Sequence, residues 1–139
     1  MAAIAIAAAD RISLLFPDNA EVYNGIAGVA ITRGQAVYFH ATTGRLALSN
    51  AGAAGTAKFH GIALNAAGIG QAISILKRGH IAGFTLAGNY GSLAYLNDTD
   101  GVIGDAAGTV SAIVGAVVPL SDFPTLTKVL YINALNWAA

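Results

Sequence analysis

The chain contains few residues whose type and spacing suit chemistry. Its three histidines, His40, His60 and His80, follow one another at intervals of 20 positions (60 − 40 and 80 − 60), a spacing that places them on no common face of a helix or strand. A metal site needs three or four converging ligands that further contacts hold in place. We therefore interpret them as ordinary strand-end histidines, and a ring of histidines across a symmetry axis is the alternative.

An acidic turn has part of the pattern of a calcium-binding loop. Residues 97–101 read Asn-Asp-Thr-Asp-Gly, and Asp105 follows. An EF-hand loop needs three alternating Asp or Asn positions before its glycine and a closing Glu. Here only Asp98 and Asp100 precede the glycine at the required alternation, and the Glu is missing. We interpret the segment as a solvated hairpin turn.

The sequence contains no recognisable arrangement of nucleophile and base. It has no Gly-x-Ser-x-Gly elbow and no cysteine, so neither a serine nucleophile of that kind nor a Cys–His pair is available. Residues 68–71, Gly-Ile-Gly-Gln, lack the Lys and the Ser or Thr of a phosphate-binding loop. We therefore predict that the protein is not an enzyme and that it carries no cofactor and no metal.

The composition favours a component of an assembly. Charged residues make up 10% of the 139 positions and hydrophobic residues 55%, against a usual charged share of roughly 25%. Some apolar surface must then face outward or meet another chain. Seven Lys and Arg balance seven Asp and Glu, so no basic field attracts nucleic acid. No stretch reaches the roughly 18 uninterrupted apolar residues of a membrane span.

The strongest structural signal is an internal repeat. Tyr38 and Tyr95 are 57 positions apart (95 − 38), as are the turn glycines at 44 and 101 (101 − 44), while the glycines at 61 and 115 are 54 apart (115 − 61). We further align residues 72–75 with residues 129–132. A duplicated unit predicts two similar β-modules around one core: repeat one spans about residues 28–80 and repeat two about residues 88–133.

Short apolar or alternating runs between turn residues predict an all-β domain over residues 22–139, with little helix. We expect a compact β-barrel or β-sandwich. The predicted strands are Gln35–His40, Arg45–Ser49, Lys58–Asn65, Gln71–Leu76, Ser92–Asn97, Val110–Pro119 and Lys128–Asn133.

Residues 1–21 lie outside the repeats and lack the basic region of a secretion signal. We predict an extended attachment arm that ends in a short helical turn closed by Pro17. Two further features are interface candidates: the basic pair Lys77-Arg78, and Trp137, which either caps the core or anchors a neighbouring subunit. The apolar anchors expected on the arm are Ile4, Ile6, Leu14, Leu15 and Phe16.

The turn-and-strand pattern resembles that of a known family. Residues 28–38 (Gly-Val-Ala-Ile-Thr-Arg-Gly-Gln-Ala-Val-Tyr), then 43–46 (Thr-Gly-Arg-Leu) and 61–63 (Gly-Ile-Ala), resemble the small capsid decoration proteins of tailed bacteriophages, also called cement or head-stabilisation proteins. The resemblance covers roughly residues 22–133 and continues through residues 70–75 and 79–81.

That resemblance implies a structural protein of the virion. Such a protein binds the outer face of the capsid lattice, commonly as a homotrimer, so the expected partners are the major capsid protein and further copies of this chain. The expected location is the capsid exterior, after assembly in the host cytoplasm. The alternative is a small β-barrel ligand- or carbohydrate-binding module of a tail or adhesin protein, whose exposed aromatics would be Tyr23, Tyr38, Tyr90, Tyr95 and Tyr131.

Overall fold

The computed structural model describes residues 3–6, 12–122 and 125–134. These residues form ten β-strands and one 3₁₀ turn, Pro17–Asn19, and they contain no α-helix. The all-β prediction is confirmed, and all seven predicted strands are present, while β1, β2 and β8 were not predicted. The strands are β1 Ser13–Leu15, β2 Glu21–Ile26, β3 Ala36–Phe39, β4 Leu46–Leu48, β5 Gly61–Ala63, β6 Ala72–Ala82, β7 Leu93–Leu96, β8 Ile103–Gly104, β9 Ile113–Asp122 and β10 Thr125–Asn133.

The strands form one antiparallel sheet that is curled into a half-barrel. Its order is β4-β3-β5-β6-β10-β9-β7-β8, and β1 and β2 also pair with β6. Arg78 of β6 pairs with Glu21 of β2 and with Asn133 of β10, so these two strands lie on opposite edges of β6. The long strand β6 therefore joins two modules, with β5 and β10 along one edge and β2 and β1 along the other.

The two predicted modules have the same strand register. The pairs Tyr38–Ala47 and Tyr95–Gly104 occupy equivalent places in the β3–β4 and β7–β8 ladders. Val37 pairs with Gly61 as Ala94 pairs with Gly115. The turn glycines also match in backbone conformation: φ is 86° at positions 34 and 91, and 71° at positions 44 and 101. Such positive φ values favour glycine because it has no Cβ.

One part of the predicted alignment is wrong. Ile62 pairs with Leu76 in module one, and the equivalent Ala116 pairs with Tyr131 in module two. Leu76 therefore corresponds to Tyr131, 55 positions later (131 − 76), whereas residues 72–75 were matched with residues 129–132 at an offset of 57. The matched stretches, residues 72–76 and 129–132, are mainly apolar, so a shift of two residues keeps the alternation of faces, and the pattern does not detect it.

The apolar interior forms two clusters rather than the single predicted core. One lies in module one and includes Val37, Leu46 and Ile75. The other lies mainly in module two and includes Leu96 and Leu130. Strand β6 contributes to both clusters, because it runs through both modules.

The prediction that residues 1–21 form an arm outside the core is wrong for the described part of that segment. Ile4 is 8% exposed and Ile12 4% exposed, and both belong to the module-two core, against which Ile6 and Leu14 also pack. The amide of Ile4 donates a hydrogen bond of 2.8 Å to the carbonyl of Ile103. The segment is buried because its alternating isoleucines have apolar surface to cover and β8 offers an edge for them to pair with.

The predicted helical turn before Pro17 is also wrong. Residues 13–15 form β1, which pairs with residues 80–82 of β6, and the helical geometry begins only at Pro17. In this strand Leu14 packs against the core and Leu15 lies on the opposite face, as strand periodicity requires.

Replacing Ile4 with alanine should destabilise the protein by about 2–4 kcal/mol, the usual cost of truncating a buried aliphatic side chain. The exposed Ala5 provides a neighbouring control, and Ala5→Ser should leave stability nearly unchanged. Urea unfolding of both variants measures the difference. Equal midpoints for Ile4→Ala and the wild type would show that the segment contributes nothing to the core and would restore the arm interpretation.

Candidate interaction surface

The three histidines lie in three separate environments. The Nδ1 atom of His60 accepts a 2.8 Å hydrogen bond from the amide of Phe39. The Nδ1 atom of His40 accepts longer bonds from the amides of Thr42 and Thr43, at 3.3 and 3.4 Å. His80 lies between the rings of Phe16 and Tyr131, with centroid distances of 5.3 and 5.0 Å. Among the described residues, no three His, Asp or Glu side chains are grouped so that they could hold a metal ion.

The acidic turn forms contacts that tie loops together. The carboxylate of Asp98 accepts hydrogen bonds from the amide and the hydroxyl of Thr109, at 2.9 and 2.7 Å. These bonds, the one from the backbone amide first, lower the pKa of Asp98 because they favour its charged form. Asp100 accepts a 2.7 Å bond from the side-chain amide of Asn50, in the other module. The two carboxylates thus hold different loops.

A row of paired residues crosses five strands on one face of the sheet, and we call it the outer-face row. Residues paired directly across antiparallel strands point to the same face. Each residue of the row pairs with the next, from β1 through β6, β10 and β9 to β7. The row consists of Leu15, His80, Tyr131, Ala116 and Leu93.

The opposite face explains why this row is directed away from the core. At the positions next to the outer-face row in the same ladders, Leu14 pairs with Ile81, Ile81 with Leu130, and Leu130 with Val117. Ile81, Leu130 and Val117 are buried in the interior. Since side chains alternate between faces along a strand, the outer-face row must point outward, where its members are half-buried or exposed.

Exposed apolar side chains extend both ends of the row. At one end Phe16 is 46% exposed and places its ring edge-on to His80. Its φ of +50° lies in the left-handed region, which costs a non-glycine residue roughly 1–2 kcal/mol. At the other end Leu93 is 42% exposed, and Ile113, paired with Tyr95 on the same face, is 54% exposed. Large apolar side chains at both ends lengthen the apolar surface.

A polar row borders the outer-face row. Glu21, Arg78 and Asn133 pair with one another across β2, β6 and β10. Arg78 is two positions from His80, and Asn133 is two positions from Tyr131, so both lie on the same face as the outer-face row. Glu21 shares that face because it pairs with Arg78. Lys77 is 3.7 Å from the carboxylate of Glu21. An apolar centre beside a polar edge is the anatomy of a protein–protein interface.

The structure brings together only some of the predicted interface residues. Leu15, Phe16 and Arg78 lie on the outer face, as interface residues would, and Lys77 lies beside it through its contact with Glu21. Trp137 lies outside the described residues. The remaining three candidates, Ile4, Ile6 and Leu14, pack into or against the core.

Sequence reasoning missed the far end of this surface. Leu93 and Ile113 lie in predicted strands, and the alternation within each strand shows that it has two faces. Only the strand pairing shows which of the two faces is outside. The ladder between β7 and β9 also shifts register at Ala94/Tyr95, so simple alternation along β9 does not place Ile113 on the correct face. The local sequence therefore does not show the outer-face row, which can be recognised only when the pairing of the strands is known.

A separate groove of about 490 Å³ opens beside β4. Its lining combines a histidine and an arginine with small and aliphatic residues, and none of the described residues that line it is Phe, Tyr or Trp. Glycan-binding sites commonly use exposed aromatic rings, as the alternative function would require. Of the tyrosines expected to supply them, Tyr38 is buried, whereas Tyr23 and Tyr90 are exposed but do not line this groove. The groove is lined by Gly28, Val29, His40, Thr43, Arg45, Leu46 and Ala47.

Comparisons with known proteins add no family to this description. Nothing matches the chain among protein-family models, curated proteins or solved structures. In the part of the chain that the structure describes, no helix has the length and apolar character to cross a membrane.

Proposed function

We propose that the protein is a structural component of a tailed-phage virion that binds the outer surface of the capsid and stabilises the shell. The observation that carries this proposal is the outer-face row, with Phe16 and Ile113 at its ends. Five adjacent strands at about 4.8 Å spacing make the row roughly 19 Å long. That length suits one side of a standard protein–protein interface, which buries about 800 Å² per partner.

The partner is the major capsid protein, and burial of apolar side chains provides the binding free energy. Each large apolar side chain that leaves water contributes roughly 1.5–3 kcal/mol, less the cost of association. A protein that binds the assembled shell but not the dissociated subunits stabilises the shell by mass action. At a free concentration 100 times the Kd, this amounts to about 2.7 kcal/mol per site.

The protein acts as a homotrimer on the lattice. In β2, Val22 and Ile26 are exposed, and neither belongs to the outer-face row. These two side chains provide a second apolar surface for contact between copies. Three linked copies bind a symmetric lattice more tightly than one, because the second and third contacts form within one complex. The chain's net charge of +0 means that long-range attraction contributes little to this binding.

The ligand-binding alternative has two observations in its favour: the groove beside β4, and the exposure of Tyr23 and Tyr90. The groove's volume of about 490 Å³ lies within the range of small-molecule sites. Its described lining has no aromatic ring, which is unfavourable for a sugar ligand. Binding of the capsid therefore remains the better-supported function.

Co-sedimentation tests the proposal. Empty shells assembled from the major capsid protein encoded in the same genome should carry the purified protein into the pellet, with saturation at a fixed number of copies per shell. Binding should change little between low and high salt, since few charges take part. If the protein stays in the supernatant at concentrations far above those of the shell sites, the proposed function fails.

A further inference from the structure

A bulge in β6 places two cations beside one carboxylate. In the ladder between β2 and β6, Glu21 pairs with Arg78. The next residue of β2 pairs with Leu76, so Lys77 has no partner residue on β2. A bulge of this kind adds one residue to a strand and redirects the side chains beside it. Here the Nζ atom of Lys77 lies 3.7 Å from the carboxylate of Glu21, although Arg78 is the residue opposite Glu21 in the ladder.

Arg78 has no partner of its own in this arrangement. It is half-buried, and it forms no ion pair or hydrogen bond with any described residue. Glu21 provides one negative charge for two positive charges, so one cation stays uncompensated whichever of them the carboxylate contacts. The neighbour of Arg78 on β10 is Asn133, which is neutral. The guanidinium of Arg78 is therefore available to a group from outside the chain.

The position of Arg78 joins this charge to the outer-face row. Arg78 lies two positions before His80 on β6, which is about 7 Å along the strand and on the same face. On β10, Asn133 lies at the same distance from Tyr131, and the two pairs are neighbours in one ladder. A partner that covers His80 and Tyr131 therefore also reaches Arg78.

Contact with a partner removes water from the guanidinium group. A charge that loses water without gaining a partner is costly, so the surface that covers Arg78 must supply an acceptor. A carboxylate suits this role best, because its two oxygens match the fork of N–H donors on the guanidinium. Arginine is also among the residues that most often dominate the binding free energy of an interface.

We propose that Arg78 binds an acidic side chain of the major capsid protein, set beside the apolar residues that meet His80 and Tyr131. The inference rests on the proposed function and adds the chemistry of the partner, which is an Asp or Glu about 7 Å from an apolar patch. Arg78 then determines specificity, because a surface without the carboxylate leaves the guanidinium unpaired. The ion pair is buried in the complex, where salt screens it only weakly.

Co-sedimentation of Arg78→Met with empty shells of the capsid protein tests the proposal. The change keeps a long apolar side chain and removes the guanidinium. We expect binding at least about tenfold weaker than that of the wild type, equivalent to about 1.4 kcal/mol. The urea midpoint should not fall, because Arg78 has no partner among the described residues. Arg33→Met is the matched control, since Arg33 is exposed and lies outside the strands of the outer-face row, and it should bind as the wild type does.

Zero-length carbodiimide cross-linking identifies the group that meets Arg78. In Arg78→Lys, the introduced amine can be coupled to a carboxylate within ion-pair distance, and mass spectrometry locates both residues. We expect a cross-link from position 78 to an Asp or Glu of the capsid protein. The control Arg33→Lys should give no cross-link to the capsid protein from position 33.

The outcomes separate this inference from the proposed function. If the wild type does not sediment with the shells, the proposed function fails and this inference fails with it. If the wild type sediments, three results would overturn the role of Arg78 alone. These are equal binding of Arg78→Met and the wild type, a clearly lowered urea midpoint of Arg78→Met, and a cross-link from position 78 to a second copy of this chain instead of the capsid protein.

Discussion

Replacing Gly115 with alanine is expected to lower the free energy of unfolding by about 3 kcal/mol, at the upper end of the cost of overpacking a core. The added methyl group would overlap the carbonyl oxygen of Tyr131 on the neighbouring strand. A backbone atom cannot rotate away as a side chain can, so β9 and β10 must separate. At the equivalent glycine of module one, Gly61, an added methyl group would lie 2.9 Å from the carbonyl oxygen of Leu76, so the close strand approach is part of the repeated unit.

Thermal and urea unfolding measure this effect. For a chain of this size, 3 kcal/mol corresponds to a fall in Tm of roughly 10 °C. Gly55→Ala is the matched control, because a methyl group there meets no atom of the described residues within 4 Å, and its midpoint should change little. Equal midpoints for Gly115→Ala and Gly55→Ala would mean that β9 and β10 are not packed as the structure describes.

Replacing Ile113 with aspartate is expected to weaken binding to capsid shells by about 2 kcal/mol or more, roughly 30-fold. Ile113 is 54% exposed in the free protein, so the folded chain can tolerate a charge at this position. In the proposed complex, however, the carboxylate would be buried among apolar side chains without a partner, which is costly. The expected result is therefore lost binding with nearly unchanged stability.

Ile69→Asp separates this effect from a general loss of surface hydrophobicity. Ile69 is 71% exposed and lies in the loop between β5 and β6, away from the outer-face row. Co-sedimentation with the shells should give wild-type affinity for this variant. If the two aspartate variants bind equally well, the outer-face row is not the surface that contacts the capsid.

The repeat allowed much of the fold to be predicted from the sequence. Tyr38 and Tyr95, with their turn glycines, fix the registers of β3–β4 and β7–β8, because a turn that requires positive φ sets the pairing on both sides. Strand β8 has only two residues, too few for any alternation to be visible. Its position emerges only from its pairing with β7.

The N-terminal segment shows where sequence reasoning fails in this chain. Alternating Ile4 and Ile6 are compatible with a strand, but their pattern does not say whether the strand pairs within the chain or with another molecule. The edge that they cover is formed by Ile103 and Gly104, about 100 positions later in the sequence. Such a long-range pairing leaves no local signal.

The candidate interface was predictable only in part for a similar reason. Leu15, Phe16 and Arg78 were singled out as exposed anchors or docking charges, and they do share one face. Tyr131 and Leu93 join them through four successive strand pairings. A surface built from five strands is a property of the sheet order, which composition and alternation do not specify.

Cryo-electron microscopy of shells with and without the protein tests the central claim most directly. We predict added density on the outer surface of the shell, as trimers, with Phe16, Tyr131 and Leu93 facing the capsid protein. Shells without added density, or isolated copies whose outer-face row points to solvent, would contradict the proposed function or the surface assigned to it.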